Sequence, residues 1–265
     1  MKKRITILFL LAIYSLFSQN NNKLTLFSKV LNEERSCLIH LPEGYNNPSN
    51  KDKRYPILIL LDGDVFFKEA IGVVDFMSSD RNRNHLMPKT ILIAIENVDR
   101  GRDFTVTKIK IKRPNNMGGG KKFLKFIEHE LIPFIDKKYR TEPDRTLVGH
   151  SLGGLLTLNA YMDENSIFDF YISIDPSIWW SEKVMEDRVE AVSSKSFKKK
   201  LYIATANQGE ANYKKNKKRH DDFFRMLKNK SKEKQNLAIE YFKDEHHRSV
   251  PLIALYHGLK FLNVE

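Results

Sequence analysis

The chain has 265 residues, 41% hydrophobic and 29% charged, with one cysteine and a formal charge of +12. That composition excludes a long disordered chain, a collagen-like repeat and a disulfide scaffold, because Cys37 has no second thiol to pair with. A single core at this length buries roughly 70–75% of the unfolded surface, so folding demands neither a metal nor a partner.

In chain order, Met1-Lys2-Lys3-Arg4 precedes an uncharged run from Ile5 to Phe17 and a polar exit at Ser18-Gln19-Asn20. A basic start, a short apolar stretch and a small residue at the boundary predict a signal peptide over 1–18. Thirteen residues at about 1.5 Å each fall short of a hydrocarbon core of about 30 Å, which disfavours a transmembrane anchor. The expectation is an exported protein, periplasmic or secreted and without stable membrane insertion once the signal is removed. Loss of Lys2, Lys3 and Arg4 from the twelve net charges leaves +9.

The remaining 19–265 reads as a single α/β domain. Leu24 to Lys29 and Arg35 to Leu41, the second with Cys37 and Ile39 alternating against Ser36, Leu38 and His40, predict an antiparallel opening pair. From Tyr55 the pattern changes to short apolar runs: Tyr55 to Leu61, Thr90 to Ile95, Thr146 to Val148, Tyr171 to Ile174, Leu201 to Thr205 and Ala238 to Phe242. Runs apolar on both faces suit a mostly parallel central sheet with helices on both sides. Phe123, Phe126, Ile127, Leu131, Phe134 and Ile135 recur at helical spacing, with Pro133 expected to bend or interrupt that helix near its end. A lysine-rich helix is expected within 211–234, and a final helix from Ser249 to Asn263 with Pro251 in its first turn.

Gly149-His150-Ser151-Leu152-Gly153 matches G-x-S-x-G, between an apolar strand and a helical run. At a strand-to-helix turn the serine hydroxyl is lifted out of the sheet, and the free N–H groups of the helix N-terminus face a developing oxyanion. Ser151 is therefore the candidate nucleophile. Its base should follow a late strand, in the order serine, acid, histidine. His246 and His247 alone stand between the last apolar run and the last helix, and His247, before Arg248-Ser249-Val250-Pro251, is preferred. The orienting acid is expected on the loop after Leu201 to Thr205, where Glu210 is the first carboxylate; Asp244 or Glu245, close to His247 in sequence, are the alternatives. No metal-ligand set surrounds the histidines and no cofactor fingerprint occurs; Gly118 to Lys122 lacks the first glycine and the Ser/Thr of a phosphate loop.

These residues form a longer pattern. Leu60-Leu61-Asp62-Gly63-Asp64, Arg102-Asp103-Phe104-Thr105, Gly119-Gly120, Glu130 to Ile135, Gly149 to Gly154, Asp175 to Trp180 and His247 to Pro251 follow one another as in the putative esterase family, which includes esterase D and the enterobactin-type siderophore esterases. The chain resembles that family from about residue 25 onward, most closely its siderophore-esterase branch. The resemblance implies the α/β-hydrolase fold, ester hydrolysis through an acyl-enzyme, no cofactor, Ser151 as nucleophile and His247 as base. It also implies oxyanion donors at the backbone N–H groups of Leu152 and Asp64, and leaves a Ser–His dyad open as the alternative to an orienting acid, which varies in the family. The sequence departs from it at Asp175-Pro176-Ser177, where relatives often carry a serine first.

Trp179 and Trp180 read either as core packing or as an aromatic wall of the substrate pocket. The lysine-rich stretches (198–200, 214–219, 228–234) read as solvated faces; no nucleic-acid motif accompanies them, and export argues against that partner. A positive field favours an anionic small-molecule ester. With the family branch, it suggests a ferric catecholate trilactone, with Arg102 as a contact. An acyltransferase on the same scaffold and a non-catalytic binding protein are the rival functions. Oligomeric state is not encoded in any feature of the sequence.

Overall fold

The computed structural model describes residues 23–263 apart from 82, 110–115, 181 and 194–196. The export segment expected over 1–18 lies outside them. Among the described residues eight strands form one sheet: β1 (Lys23–Ser28), β2 (Glu33–His40), β3 (Tyr55–Leu60), β4 (Ile91–Ile95), β5 (Thr141–His150), β6 (Phe170–Ile174), β7 (Lys200–Ala206) and β8 (Leu237–Phe242). Their spatial order is β1-β2-β4-β3-β5-β6-β7-β8. β1 pairs antiparallel with β2, and β2 with β4. Every neighbouring pair beyond β4 is parallel.

The apolar runs become strands buried on both faces because successive side chains point to opposite sides. Ile57, Ile59, Ile91, Ile93, Leu147 and Leu201 enter one core. Their sequence neighbours Leu58, Leu60, Leu92, Val148 and Tyr202 enter the other. The first core is covered by α3 (Gly120–Phe126), α4 (Ile132–Lys138), α5 (Leu152–Tyr161), α6 (Val184–Ala191) and α7 (Lys217–Lys230). The second is covered by α1 (Gly63–Ser78) through Ala70, Val74 and Met77, and by α8 (Val250–Asn263) through Ala254, Leu255 and Leu259. A short α2 (Arg100–Phe104) follows β4. This sheet order, with helices on both faces, is the α/β-hydrolase arrangement.

Pro133 acts earlier in its helix than the sequence suggests. A π turn, Ile127–Leu131, separates α3 from α4, and the N–H of Ile132 donates to the carbonyl of Ile127. Proline supplies no N–H for the carbonyl four residues back, and a widened turn just before it absorbs the misfit. β5 is longer than its apolar run: it begins at Thr141, opposite Tyr55, with a register shift between Tyr55 and Ile57. Pairing with β3 recruits the polar residues 142–145, which hydropathy alone leaves out.

Candidate active site

The parallel strands all end at one edge of the sheet, and the candidate residues sit on the loops there. Ser151 joins β5 to α5 with φ 59° and ψ −115°, a conformation few non-glycine residues adopt. Its N–H donates to the carbonyl of Ile174 at 2.9 Å, which ties the turn to β6. Gly149 makes the turn feasible: a Cβ there would lie 2.3 Å from the carbonyl oxygen of Gly153. The outward-facing hydroxyl is a direct consequence of this backbone.

His247 enters from the loop between β8 and α8. Its Nε2 lies 3.2 Å from Ser151 Oγ, and its Nδ1 lies 2.5 Å from Asp175 Oδ2. An Nδ1–H donating to a carboxylate leaves Nε2 as the acceptor facing the serine.

The acid expected at Glu210 is corrected by this geometry. Glu210 opens an exposed 3₁₀ turn, Glu210–Asn212, whereas Asp175, directly after β6, reaches His247. β6 lies between β5 and β7, so the loop after β6 starts beside the nucleophile. The loop after β7 contributes a neutral amide instead: Gln208 Nε2 donates to Asp175 Oδ2 at 2.6 Å. Asp175 Oδ1 accepts from Ala206 N–H at 3.0 Å and from Asn216 Nδ2 at 2.9 Å. At 1% exposure a lone carboxylate would be forced neutral. Burial raises its pKa, but the hydrogen bonds from His247 and Asn216 outweigh it and hold the carboxyl at about 2. In the sequence Asp175 immediately follows a strand and precedes Pro176, a setting in which a carboxylate reads as a turn residue.

Two further side chains complete the surroundings. Ser177, within the Asp175 to Trp180 stretch of the family pattern, places its Oγ 3.2 Å from Ser151 Oγ. His150 donates from Nε2 to the carbonyl of His247 at 2.8 Å, and the two rings lie 4.4 Å apart. Burial, then the charge of His247, pushes the pKa of His150 down to about 4, so it is a neutral strut for the His247 loop. His150 also borders an apolar pocket of about 190 Å³ between α1 and α8, to which neither Ser151 nor His247 contributes.

The other predicted residues separate. Leu152 lies in the first turn of α5 and Asp64 in the first turn of α1, where helical N–H groups lack an intrahelical acceptor. Arg102 is corrected: its NH1 and NH2 donate to the two carboxylate oxygens of Glu33 at 2.9 and 2.5 Å, and its Nε to Asp103 at 2.7 Å. A guanidinium so committed is a structural clamp rather than a free contact for a substrate. Trp180 follows the core-packing alternative and not the pocket-wall one: it is 6% exposed, belongs to the core and donates from Nε1 to the carbonyl of Thr107. Trp179 is 37% exposed, with the Lys215 ammonium 4.1 Å from its ring centre, at an open groove that also includes Lys183 and Arg219.

A serine on a strained strand-to-helix turn, a histidine within reach and a buried aspartate behind it define the chain as an α/β-hydrolase with a Ser–His–Asp constellation. The family model described as Putative esterase matches residues 28–251, and the chain belongs to that family. It is 30% identical over 166 residues to the ferri-bacillibactin esterase BesA of Bacillus subtilis, 57% of either chain. It is 31% identical over 135 residues to the siderophore triacetylfusarinine C esterase of Aspergillus fumigatus, covering 48% of this chain and 45% of that one. The chain thus spans about half the length of these curated relatives. Among solved structures, an IroE-like serine hydrolase from Shewanella oneidensis superposes with a TM-score of 0.80 at 31% identity, over 91% of this chain and 79% of that one. The BES protein from Bacillus cereus shares the fold at 23% identity, with a TM-score of 0.75, over 100% and 98%.

Proposed function

We propose that this protein is a serine carboxylic-ester hydrolase acting through an acyl-enzyme. The observation that carries the reading is the continuous chain from Ser151 Oγ through His247 to buried Asp175. His247 Nε2 takes the hydroxyl proton as Ser151 attacks the ester carbonyl, and the resulting imidazolium is stabilised by the Asp175 carboxylate. The tetrahedral oxyanion rests on first-turn N–H groups of Leu152 and Asp64, aligned with the positive ends of α5 and α1. Protonated His247 then gives its proton to the departing alkoxide. Water repeats the sequence on the acyl-enzyme and frees the acid.

The proposed substrate is a siderophore-type ester, a ferric catecholate trilactone, carried as cargo and not as a cofactor. The names of the two esterase relatives support a siderophore-type ester, and the net positive charge favours an anionic one such as a ferric catecholate. Export by a signal over 1–18 belongs to the same proposal, and would place the enzyme where ferric complexes are met before uptake. The test compares the purified protein with Ser151→Ala on p-nitrophenyl butyrate and on the ferric trilactone. Loss of both activities in Ser151→Ala is expected. Cleavage of the simple ester with an intact trilactone would remove the substrate proposal, and retained turnover in Ser151→Ala would remove the mechanism.

A further inference from the structure

Asn97 on the loop after β4 and Arg100, the first residue of α2, supply no atom to the Ser–His–Asp line, yet they grip the turns from which the proposed oxyanion donors emerge. Asp62, the residue before α1, is 2% exposed and left-handed, with φ 57° and ψ 46°. A non-glycine residue holds that conformation only where its surroundings impose it, and a buried carboxylate must be paired. Arg100 does both. Its Nε donates to Asp62 Oδ1 at 2.6 Å and its NH2 to Oδ2 at 3.0 Å, and the same NH2 donates to the carbonyl of His150 at 3.2 Å.

His150 is the last residue before Ser151, so one guanidinium joins the entrance of α1 to the entrance of α5. The arrangement is reinforced from two sides. Asn97 Nδ2 donates to Asp62 Oδ1 and to Asp64 Oδ1, each at 2.8 Å, and the guanidinium carbon lies 5.3 Å from the centre of the Phe104 ring. Asp62 also sits directly against α5, since a Cβ on Gly153 would come within 3.4 Å of its Oδ2.

We infer that Arg100 is a positioning residue that sets the spacing and direction of the Leu152 and Asp64 N–H groups by bracing the Asp62 turn against the nucleophile elbow. The inference rests on the esterase reading above. Arg100 touches neither His247 nor Asp175 among the contacts of the described residues, so it acts on the oxyanion side and not on proton transfer. The planar fork meets the two carboxylate oxygens with two different nitrogens in a fixed plane, Nε and NH2, and turns the second NH2 proton to the His150 carbonyl; an ammonium at the same place keeps the charge but brings all its protons to one point and loses that geometry.

The experiment is Arg100→Lys in the full protein, assayed with p-nitrophenyl butyrate beside wild type and Ser151→Ala. Oxyanion donors act on the transition state, so kcat is expected to fall about 10- to 100-fold while KM changes less than about threefold. The acidic limb of the pH profile should stay where it is in wild type. A rise in KM at unchanged kcat would overturn the inference by making Arg100 a substrate contact, and unchanged kcat and KM would overturn it outright. If Arg100→Lys does not fold, the double variant Asp62→Asn/Arg100→Gln removes the pair without stranding a buried charge. The same loss of kcat is expected there, and full kcat would overturn the brace. Should Ser151→Ala keep its turnover, the esterase reading falls instead. The crystal structure of Arg100→Lys then decides the brace: relaxation of Asp62 from φ 57° supports it, and persistence of that angle refutes it.

Discussion

At the scale of single residues, the decisive distinction is between two carboxylates that sequence position makes nearly equivalent. Asp175 is desolvated, receives four hydrogen bonds and faces His247 Nδ1; Glu210 is exposed on a turn. Replacing Asp175 by Asn removes the acceptor that selects the Nδ1–H tautomer, so kcat on a simple ester should fall about 10³- to 10⁴-fold. Glu210→Gln should stay within about twofold of wild type, and steady-state kinetics on the pair checks both. The same logic applies to Arg102, whose guanidinium is occupied by Glu33 and Asp103. Arg102→Gln is expected to lower the urea midpoint and leave KM for the ferric trilactone unchanged; a large rise in KM would restore the substrate contact.

At the scale of elements, Arg35 of β2 is the piece that joins the antiparallel edge to the helices beside the site. It is 1% exposed, pairs with Asp103 of α2 at 2.7 Å, and lies 5.0 Å from the ring centre of Phe123 in α3. Removing one partner of a buried pair costs about 3–5 kcal/mol when the other is left bare; Arg35 keeps Glu33 at 2.9 Å, which places the loss toward the lower end. Asp103→Ala should therefore lose roughly that much in equilibrium urea unfolding, whereas Lys218→Ala, at an exposed pair with Asp222 on α7, should lose well under about 1 kcal/mol. Similar losses in the two variants would contradict the clamp. Lysine-rich α7 reads here as the solvated face its composition suggests, with Lys217 pairing Asp221 one turn on and Arg219 pairing Glu186.

At the scale of the whole molecule, stability should depend on pH through the two groups that flank His247. His150 is held at about 4 in the fold, mainly by burial, but takes up a proton near its ordinary 6.5 when unfolded. The unfolded chain then binds more protons between those values, so stability is full above about 6.5 and declines as pH falls toward 4. Asp175, held at about 2 against an ordinary 3.8, adds a second loss from about pH 4 down to 2. Between pH 7 and 5 the His150 contribution is roughly 2 kcal/mol. His150→Gln, which keeps a donor toward the His247 carbonyl, should flatten that part of the curve in urea titrations at the two pH values. An unchanged slope would show that His150 is not the group responsible.

What the sequence determined by itself is what local chain physics dictates. Apolar runs buried on both faces imply the covered parallel sheet, because alternation along a strand is a property of neighbouring residues. The G-x-S-x-G turn places Ser151 because a glycine must yield to the backbone only four residues on, and His247 follows from its place between the last strand and the last helix. Only the tertiary structure decided the partners. Asp175 meets a histidine 72 positions away, Arg102 a glutamate 69 positions away, and Trp180 the carbonyl of residue 107. Which carboxylate faces an imidazole, and which arginine is already spent, depends on strand order and on desolvation. Both are set by long-range packing, and the spacing of residues along the chain carries no record of either.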